Sequence, residues 1–279
     1  MPYTFQIIAL CVVVPMVEAC KSNAFPAGLS QPEGSLRFAL DSLLLPSFVA
    51  ASLKERPLHL KNPLREPAFD IRLPGSFACA DLGAGCGASA IALLKLVPYV
   101  KVWGVDCEDV LVQSAKENAL KTGLADRVRF ETLDVASLSQ VQRPFCDMVQ
   151  INPPYWEDGA GRPSPHALAN RARSSEHGLD AFIKAAQRLL VYHGRLFCIF
   201  PASRIVCLTD TVQKYGFGIR RLQFVRPYAD ARAGRVMCEA MKDAGHETSI
   251  EPDLVLYEKK PDGTAEPSKK ALSFCPWIS

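Results

Sequence analysis

One stretch limits the possible folds more than any other. Phe77 to Leu94 reads as an apolar strand, then a loop with glycine at alternate positions (Gly83, Gly85, Gly87), then a helix. Glycine lets backbone approach a ligand with no Cβ in the way, and the helix start presents free N–H groups to it. The order Asp81-x-Gly-x-Gly-x-Gly differs from the Gly-x-Gly-x-x-Gly dinucleotide fingerprint. It also lacks the Gly-Lys-Ser/Thr that a nucleoside triphosphate needs.

The downstream spacing strengthens this reading. Val102 to Asp106 is a second strand ending in an acid, about twenty residues past the glycines, where a carboxylate can accept both ribose hydroxyls. A helix follows over 109–122, with Val110, Leu111, Ala115, Ala119 and Leu120 expected as its inner face and Gly123 as its stop. Arg127 to Asp134 is a third strand ending in an acid, placed to accept from an adenine amino group; the plain alternative for either acid is a helix cap or turn. Alternating strands and helices predict a doubly wound sheet with these groups around one cleft at the strands' carboxyl ends.

A fourth strand, 147–151, stops at Asn152-Pro153-Pro154-Tyr155. Proline lacks an amide N–H and pushes its predecessor out of the helical region, so the pair makes a rigid extended corner where a ladder ends. There the Asn152 side-chain carbonyl and the Pro153 backbone carbonyl can converge as acceptors beside the Tyr155 ring. The arrangement suits a planar group bearing an NH2.

The corner is similar to that of methyltransferases that use S-adenosylmethionine to methylate exocyclic base amines or the glutamine side-chain amide. The chain resembles, more narrowly, the bacterial tRNA1(Val) adenine-N6 methyltransferase family, from about Gly28 to Tyr257. Beyond the general motifs, the resemblance rests on Gln31-Pro32, Arg37-Phe38-x-x-Asp41, Arg173-x-x-Glu176-His177, Val225-Arg226-Pro227 with Tyr228-x-Asp230, and Pro252-x-Leu254-Val255-Leu256-Tyr257. It implies a class I methyltransferase (Rossmann-like) α/β fold: a seven-stranded, mostly parallel sheet with helices on both faces and a late antiparallel hairpin. It implies S-adenosylmethionine as cofactor and tRNA as partner. It also implies that the amino-terminal segment covers the cofactor, with Gln31, Arg37 and Phe38 helping to close the pocket and Arg37 facing the cofactor's carboxylate.

The expected cofactor set is therefore Arg37, Phe38, Asp81, Gly83, Gly85, Gly87, Asp106, Asp134 and Asn152, and the expected catalytic set is Asn152, Pro153, Pro154 and Tyr155. Arg162, Arg171 and Arg173, in the loop after the corner, and Arg226 and Arg232, near the hairpin of 219–228 with 235–244, are expected to contact RNA phosphate; a solvated loop and a solvated charged face are the plain alternatives. His166 and His177 receive no role, because an exocyclic amine can lose its proton after transfer.

The 279 residues, 48% hydrophobic, suffice for a sizeable core, and a formal charge of +3 permits an anionic partner without requiring one. Ten cysteines lie scattered with no Cys-x-x-Cys pair, which reads as reduced thiols in a cytoplasmic chain with no metal. Residues 1–27 form an extension of undecided kind: Phe5 to Met16 is apolar, yet no Lys or Arg precedes it and it is too short to span a membrane as a helix. It either packs as an extra element or precedes an internal start at Met16. The segment 28–76 is expected to cover the cofactor site, 77–258 to form the catalytic domain and 259–279 to be a disordered tail apart from docking of Phe274 or Trp277. A monomer with no membrane association is expected. Two rival readings are a glutamine-N5 methyltransferase acting on a protein and a non-catalytic RNA-binding protein of the same fold.

Overall fold

The computed structural model describes residues 25–33, 35, 38–57, 77–141, 144–153, 178–245 and 247–278. Arg37, Pro154, Tyr155, Arg162, Arg171, Arg173 and both histidines considered above lie outside them, as does the extension before residue 25.

The chain enters through helix α1 (Asp41–Glu55), whose Leu43, Leu44, Leu45, Phe48 and Val49 are buried. The alternating section follows as β1 (Phe77–Leu82), α2 (Ala88–Leu96), β2 (Val100–Asp106), α3 (Asp109–Lys121), β3 (Val128–Thr132) and β4 (Cys146–Ile151). Next come α4 (Leu179–Leu189), β5 (Leu190–Pro201), α5 (Ile205–Lys214), β6 (Phe217–Arg226) and β7 (Arg235–Lys242). The sheet order is β3-β2-β1-β4-β5-β7-β6, continued by β8 (Ser249–Val255). The first five of these strands pair in parallel, β7 runs antiparallel to both β5 and β6, and β8 pairs in parallel with β6. The sheet thus holds eight strands, one more than expected. The added edge strand holds Pro252 to Val255 of the late motif, and Pro252 is tolerated there because it falls where the register with β6 shifts.

Both faces are covered. Residues of α1, α2 and α3 form one apolar cluster with Val100, Met148 and Phe197, while α4 and α5 bury Phe182, Ile183, Leu208 and Val212 against the other face. That double coverage explains why β4 and β5 read as continuous apolar runs rather than alternating ones.

Two expectations change. Helix α3 turns Val112, Ala115, Asn118 and Ala119 inward, whereas Val110 and Leu120 are 42% and 70% exposed. The residues after 258 are ordered elements rather than a disordered tail. Strands β9 (Tyr257–Lys259) and β10 (Ala265–Pro267) pair, and α6 (Lys269–Phe274) is capped by Ser268, whose Oγ accepts the Ala271 N–H at 3.0 Å. Ala271 of this helix and Cys275 and Ile278 just after it are buried in the same cluster as α1. Among the described residues no helix is long and apolar enough to cross a membrane, and eight cysteines are free thiols.

Candidate active site

The strand order reverses at β1: β2 and β3 lie on one side of it and β4 on the other. Such a reversal opens a crevice at the carboxyl ends of β1 and β4. Leu82 and Ile151 are register partners there, so the glycine loop and the Asn152 corner leave the sheet side by side.

The loop's shape depends on its glycines. Gly83, Gly85 and Gly87 have φ of +73°, +56° and +82°, values that side chains with a Cβ rarely adopt. The Gly83 and Ala84 N–H groups both donate to the Val105 carbonyl at 2.9 Å, hanging the loop on β2. A Cβ on Gly87 would come within 2.8 Å of Phe130 and 3.1 Å of Ala115, whereas one on Gly85 would meet nothing within 4 Å. Gly87 is therefore a packing requirement, and Gly85 faces open space where a ligand can approach.

Asp106 ends β2 and is 9% exposed. Its Oδ2 accepts the Gly85 N–H at 2.8 Å and its Oδ1 the Glu108 N–H at 3.1 Å. Burial raises its pKa, while these backbone bonds oppose the shift. Each oxygen retains lone-pair capacity for a hydroxyl donor, which suits a ribose diol. Asp134 is exposed and caps the 3-10 turn Val135–Gln140, its Oδ1 accepting the Ala136 N–H at 2.8 Å.

Below the loop, Asp81 and Gln150 are buried on adjacent strands. Gln150 Nε2 donates to Ser89 Oγ at 3.0 Å, at the start of α2. Asp81 Oδ2 and Gln150 Oε1 have no hydrogen-bond partner among the described residues. Desolvation drives the Asp81 pKa up to about 7; the Gln150 amide lowers it and the neighbouring Asp106 charge adds to the rise.

At the corner, Asn152 is partly buried and Pro153 buried. The amino-terminal segment reaches the glycine loop from behind: Gln31 Nε2 lies 3.6 Å from Cys86 Sγ, and Ser30 bonds to the buried Asn118 of α3. Phe38 is partly buried. Asp41 is buried and pairs with Arg235 at 2.8 Å.

The late arginines are largely committed inside the protein. Arg221 is buried between Glu239 and Glu55, and Arg220 pairs with Glu247 at 3.8 Å. Arg226 pairs with Asp253 and donates to the Ala231 carbonyl at 2.7 Å, which ties β6 to β8. Arg232 is exposed. Arg221 is thus paired with Glu239 directly across the hairpin, and Arg226 with Asp253 of the neighbouring edge strand. Asn118, Gln150 and Ser89 were missed by sequence reasoning. The available signal was a polar residue between Ala115 and Ala119 on the inner helical stripe, and another inside an apolar strand.

The family model described as Methyltransferase small domain matches residues 71–204. A tRNA1(Val) (adenine(37)-N6)-methyltransferase from Yersinia enterocolitica is 31% identical over 202 residues, spanning 71% of this chain and 76% of that protein. The chain belongs to this family. A relative of the same name from Porphyromonas gingivalis is 27% identical over 165 residues, covering 58% of this chain and 64% of the relative, so the chain spans under two thirds of that protein's length. Among solved structures, a predicted O-methyltransferase, protein Atu636 from Agrobacterium tumefaciens, has a TM-score of 0.55 at 17% identity, covering 77% of this chain and 87% of its own. A putative RNA methyltransferase, PH1948 from Pyrococcus horikoshii, has a TM-score of 0.52 at 16% identity over 78% of this chain and 95% of its own. These two likenesses establish the methyltransferase fold.

Proposed function

We propose that the protein methylates N6 of an adenine in RNA, in a tRNA anticodon loop, with S-adenosylmethionine as methyl donor. The observation that carries this reading is the Asn152-Pro153 corner beside the glycine loop, one strand apart at the sheet's switch point.

The site fits the cofactor on its own features. Gly85 leaves open the space that a Cβ would occupy, Asp106 offers carboxylate oxygens at the end of β2, and the orphaned Asp81 oxygen lies buried below the loop. When bound, the cofactor supplies an electrophilic methyl group on a sulfonium. Asp106 would hold the ribose hydroxyls and Asp134 the adenine amino group; Arg37 and Phe38 would close the pocket from the amino-terminal side.

An adenine amino nitrogen is a weak nucleophile because its lone pair is delocalised into the ring. Asn152 Oδ1 and the Pro153 carbonyl would accept its two hydrogens, holding the nitrogen toward tetrahedral geometry. That hold would aim the nitrogen's lone pair at the methyl group of a bound cofactor, with the thioether as the leaving group, and one N6 proton would pass to solvent after transfer. Catalysis is mostly positioning and electrostatics. Tyr155 would stack on the extruded base, and Pro154 would stiffen the corner that presents it. An unpaired loop nucleotide costs less to extrude than a paired one. Arg232 supports a phosphate contact by its exposure, and Arg162, Arg171 and Arg173 would add further phosphate contacts; Arg226 supports one less well, being paired with Asp253. The enzyme works in the cytoplasm as a monomer on this reading.

Asn152→Ala tests the role of the corner. S-adenosylmethionine affinity stays within about twofold while turnover falls by roughly 10²-fold or more, the scale of losing one oriented polar group in the transition state. Unchanged turnover would remove the corner from the mechanism.

A further inference from the structure

Asn118 is fully buried on α3 and uses all three hydrogen-bonding vertices of its amide on two segments far from it in sequence. Its Oδ1 accepts the Ser30 N–H at 2.7 Å, and its Nδ2 donates to the Ser30 carbonyl and to the Cys86 carbonyl, both at 2.9 Å. Toward Ser30 it acts like a neighbouring strand, satisfying both backbone groups of one residue. Toward Cys86 it fixes the peptide between Gly85 and Gly87.

Nearby contacts reinforce the same attachment. Gln31 Nε2 reaches Cys86 Sγ at 3.6 Å, and Lys121 donates to Ser30 Oγ at 2.5 Å. At the segment's start, Phe25 packs edge-on against Trp277 with centroids 4.9 Å apart, and Lys95 lies 5.3 Å from its ring centroid. The opposite side of the loop is held by Asp106 through the Gly85 N–H at 2.8 Å. Three left-handed glycines have wide conformational freedom, so the loop's shape depends on these outside holds.

We infer that Asn118 is a positioning residue for the cofactor: it locks the glycine loop in its binding shape and makes the 28–33 segment and the loop one mechanical element. The inference rests on the reading of the loop as the S-adenosylmethionine site. A loop fixed in advance loses less freedom when the ligand binds, so its release weakens binding without touching the reacting atoms.

Asn118→Asp is the direct test. The two side chains are nearly isosteric, and the Oδ1 acceptor for Ser30 survives, but the donor vertex becomes an acceptor facing two carbonyls. Calorimetry with S-adenosylhomocysteine and steady-state kinetics with S-adenosylmethionine and tRNA give a cofactor Kd and KM raised about tenfold, the equivalent of roughly 1.4 kcal/mol. At saturating cofactor, kcat stays within about twofold, and the Ser30 amide exchanges with solvent at least about tenfold faster. A folded variant with unchanged cofactor Kd, or one losing kcat alone, overturns the inference. Gln31→Leu decides the matter should Asn118→Asp fail to fold: it removes only the contact to Cys86 and raises cofactor Kd about two- to threefold, and no change would refute the coupling. Wild-type protein that binds no S-adenosylhomocysteine would instead remove the reading of the site itself.

Discussion

Asp81 on β1 and Gln150 on β4 are register partners in the middle of the sheet, and each buries a side-chain oxygen that has no hydrogen-bond partner among the described residues. The cost falls mainly on the acid, whose pKa is raised from 3.8 to about 7, chiefly by desolvation. Its sign on stability follows from linkage. The native state keeps a proton that the unfolded chain has released, so Asp81 makes stability fall as pH rises from about 4 to about 7, and the penalty is then constant above about 7. Asp81→Asn removes that slope: its Tm relative to wild type rises progressively from about pH 4 to about pH 7 and the gain is constant above about 7. A difference independent of pH would contradict the burial of an ionisable pair-mate here.

The same acid predicts how cofactor affinity depends on pH. A cationic ligand beside Asp81 favours its ionised form, so S-adenosylmethionine binding strengthens from pH 5.5 to about 7.5, and Asp81→Asn flattens the dependence. Calorimetry across that range checks it.

Gly85 and Gly87 separate ligand approach from packing. Both have positive φ, so alanine strains each by about 1–2 kcal/mol. At Gly87 the added Cβ also meets Phe130 at 2.8 Å and Ala115 at 3.1 Å, whereas at Gly85 it meets nothing within 4 Å. Gly87→Ala therefore loses about 3 kcal/mol or more in chemical denaturation. Gly85→Ala loses only the strain but weakens cofactor binding more than tenfold. Equal stability losses in the two variants would contradict the assignment.

The part of this fold that was legible in the sequence is the part whose determinants are local. Strands β1, β2 and β4 are short, largely apolar runs ended by Gly83, Asp106 or Asn152-Pro153, and β3 alternates before Asp134; each terminator acts through its own backbone chemistry. Asp134, read as either ligand acid or cap, does cap the next turn. What escaped reading is long-range. Arg226 reads as a phosphate contact from the sequence because Asp253, which pairs with it, reaches it only once β8 adds to the sheet beside β6. Asn118 looked like one polar residue on an exposed helix because Ser30 and Cys86 reach it only after folding. The 259–279 stretch reads as a tail from its Lys, Pro and Ser content, because the cluster around α1 that buries Ala271, Cys275 and Ile278 is assembled only on folding.

Glu239 supports the attachment of α1 to the sheet. It is 1% exposed, accepts Ser52 Oγ at 2.7 Å and lies 3.3 Å from Arg221 Nε and 3.7 Å from Arg195 Nη1. Arg221 also lies over the Phe48 ring at 4.5 Å. Glu239→Ala leaves two buried guanidinium groups without this counter-charge and costs about 3–5 kcal/mol. Replacing Glu239 and Arg221 together by Met costs less than the single change. An additive double-variant cycle would show that the two do not interact.

The central claim is amine methylation at the Asn152 corner, and one assay addresses it directly. Wild-type protein is incubated with S-adenosylmethionine labelled in its methyl group and total tRNA from a strain lacking this gene, and the RNA is then digested to nucleosides. The account predicts label in N6-methyladenosine, abolished by Asn152→Ala. Label absent from RNA and present instead in a glutamine side chain of an added protein extract would contradict it.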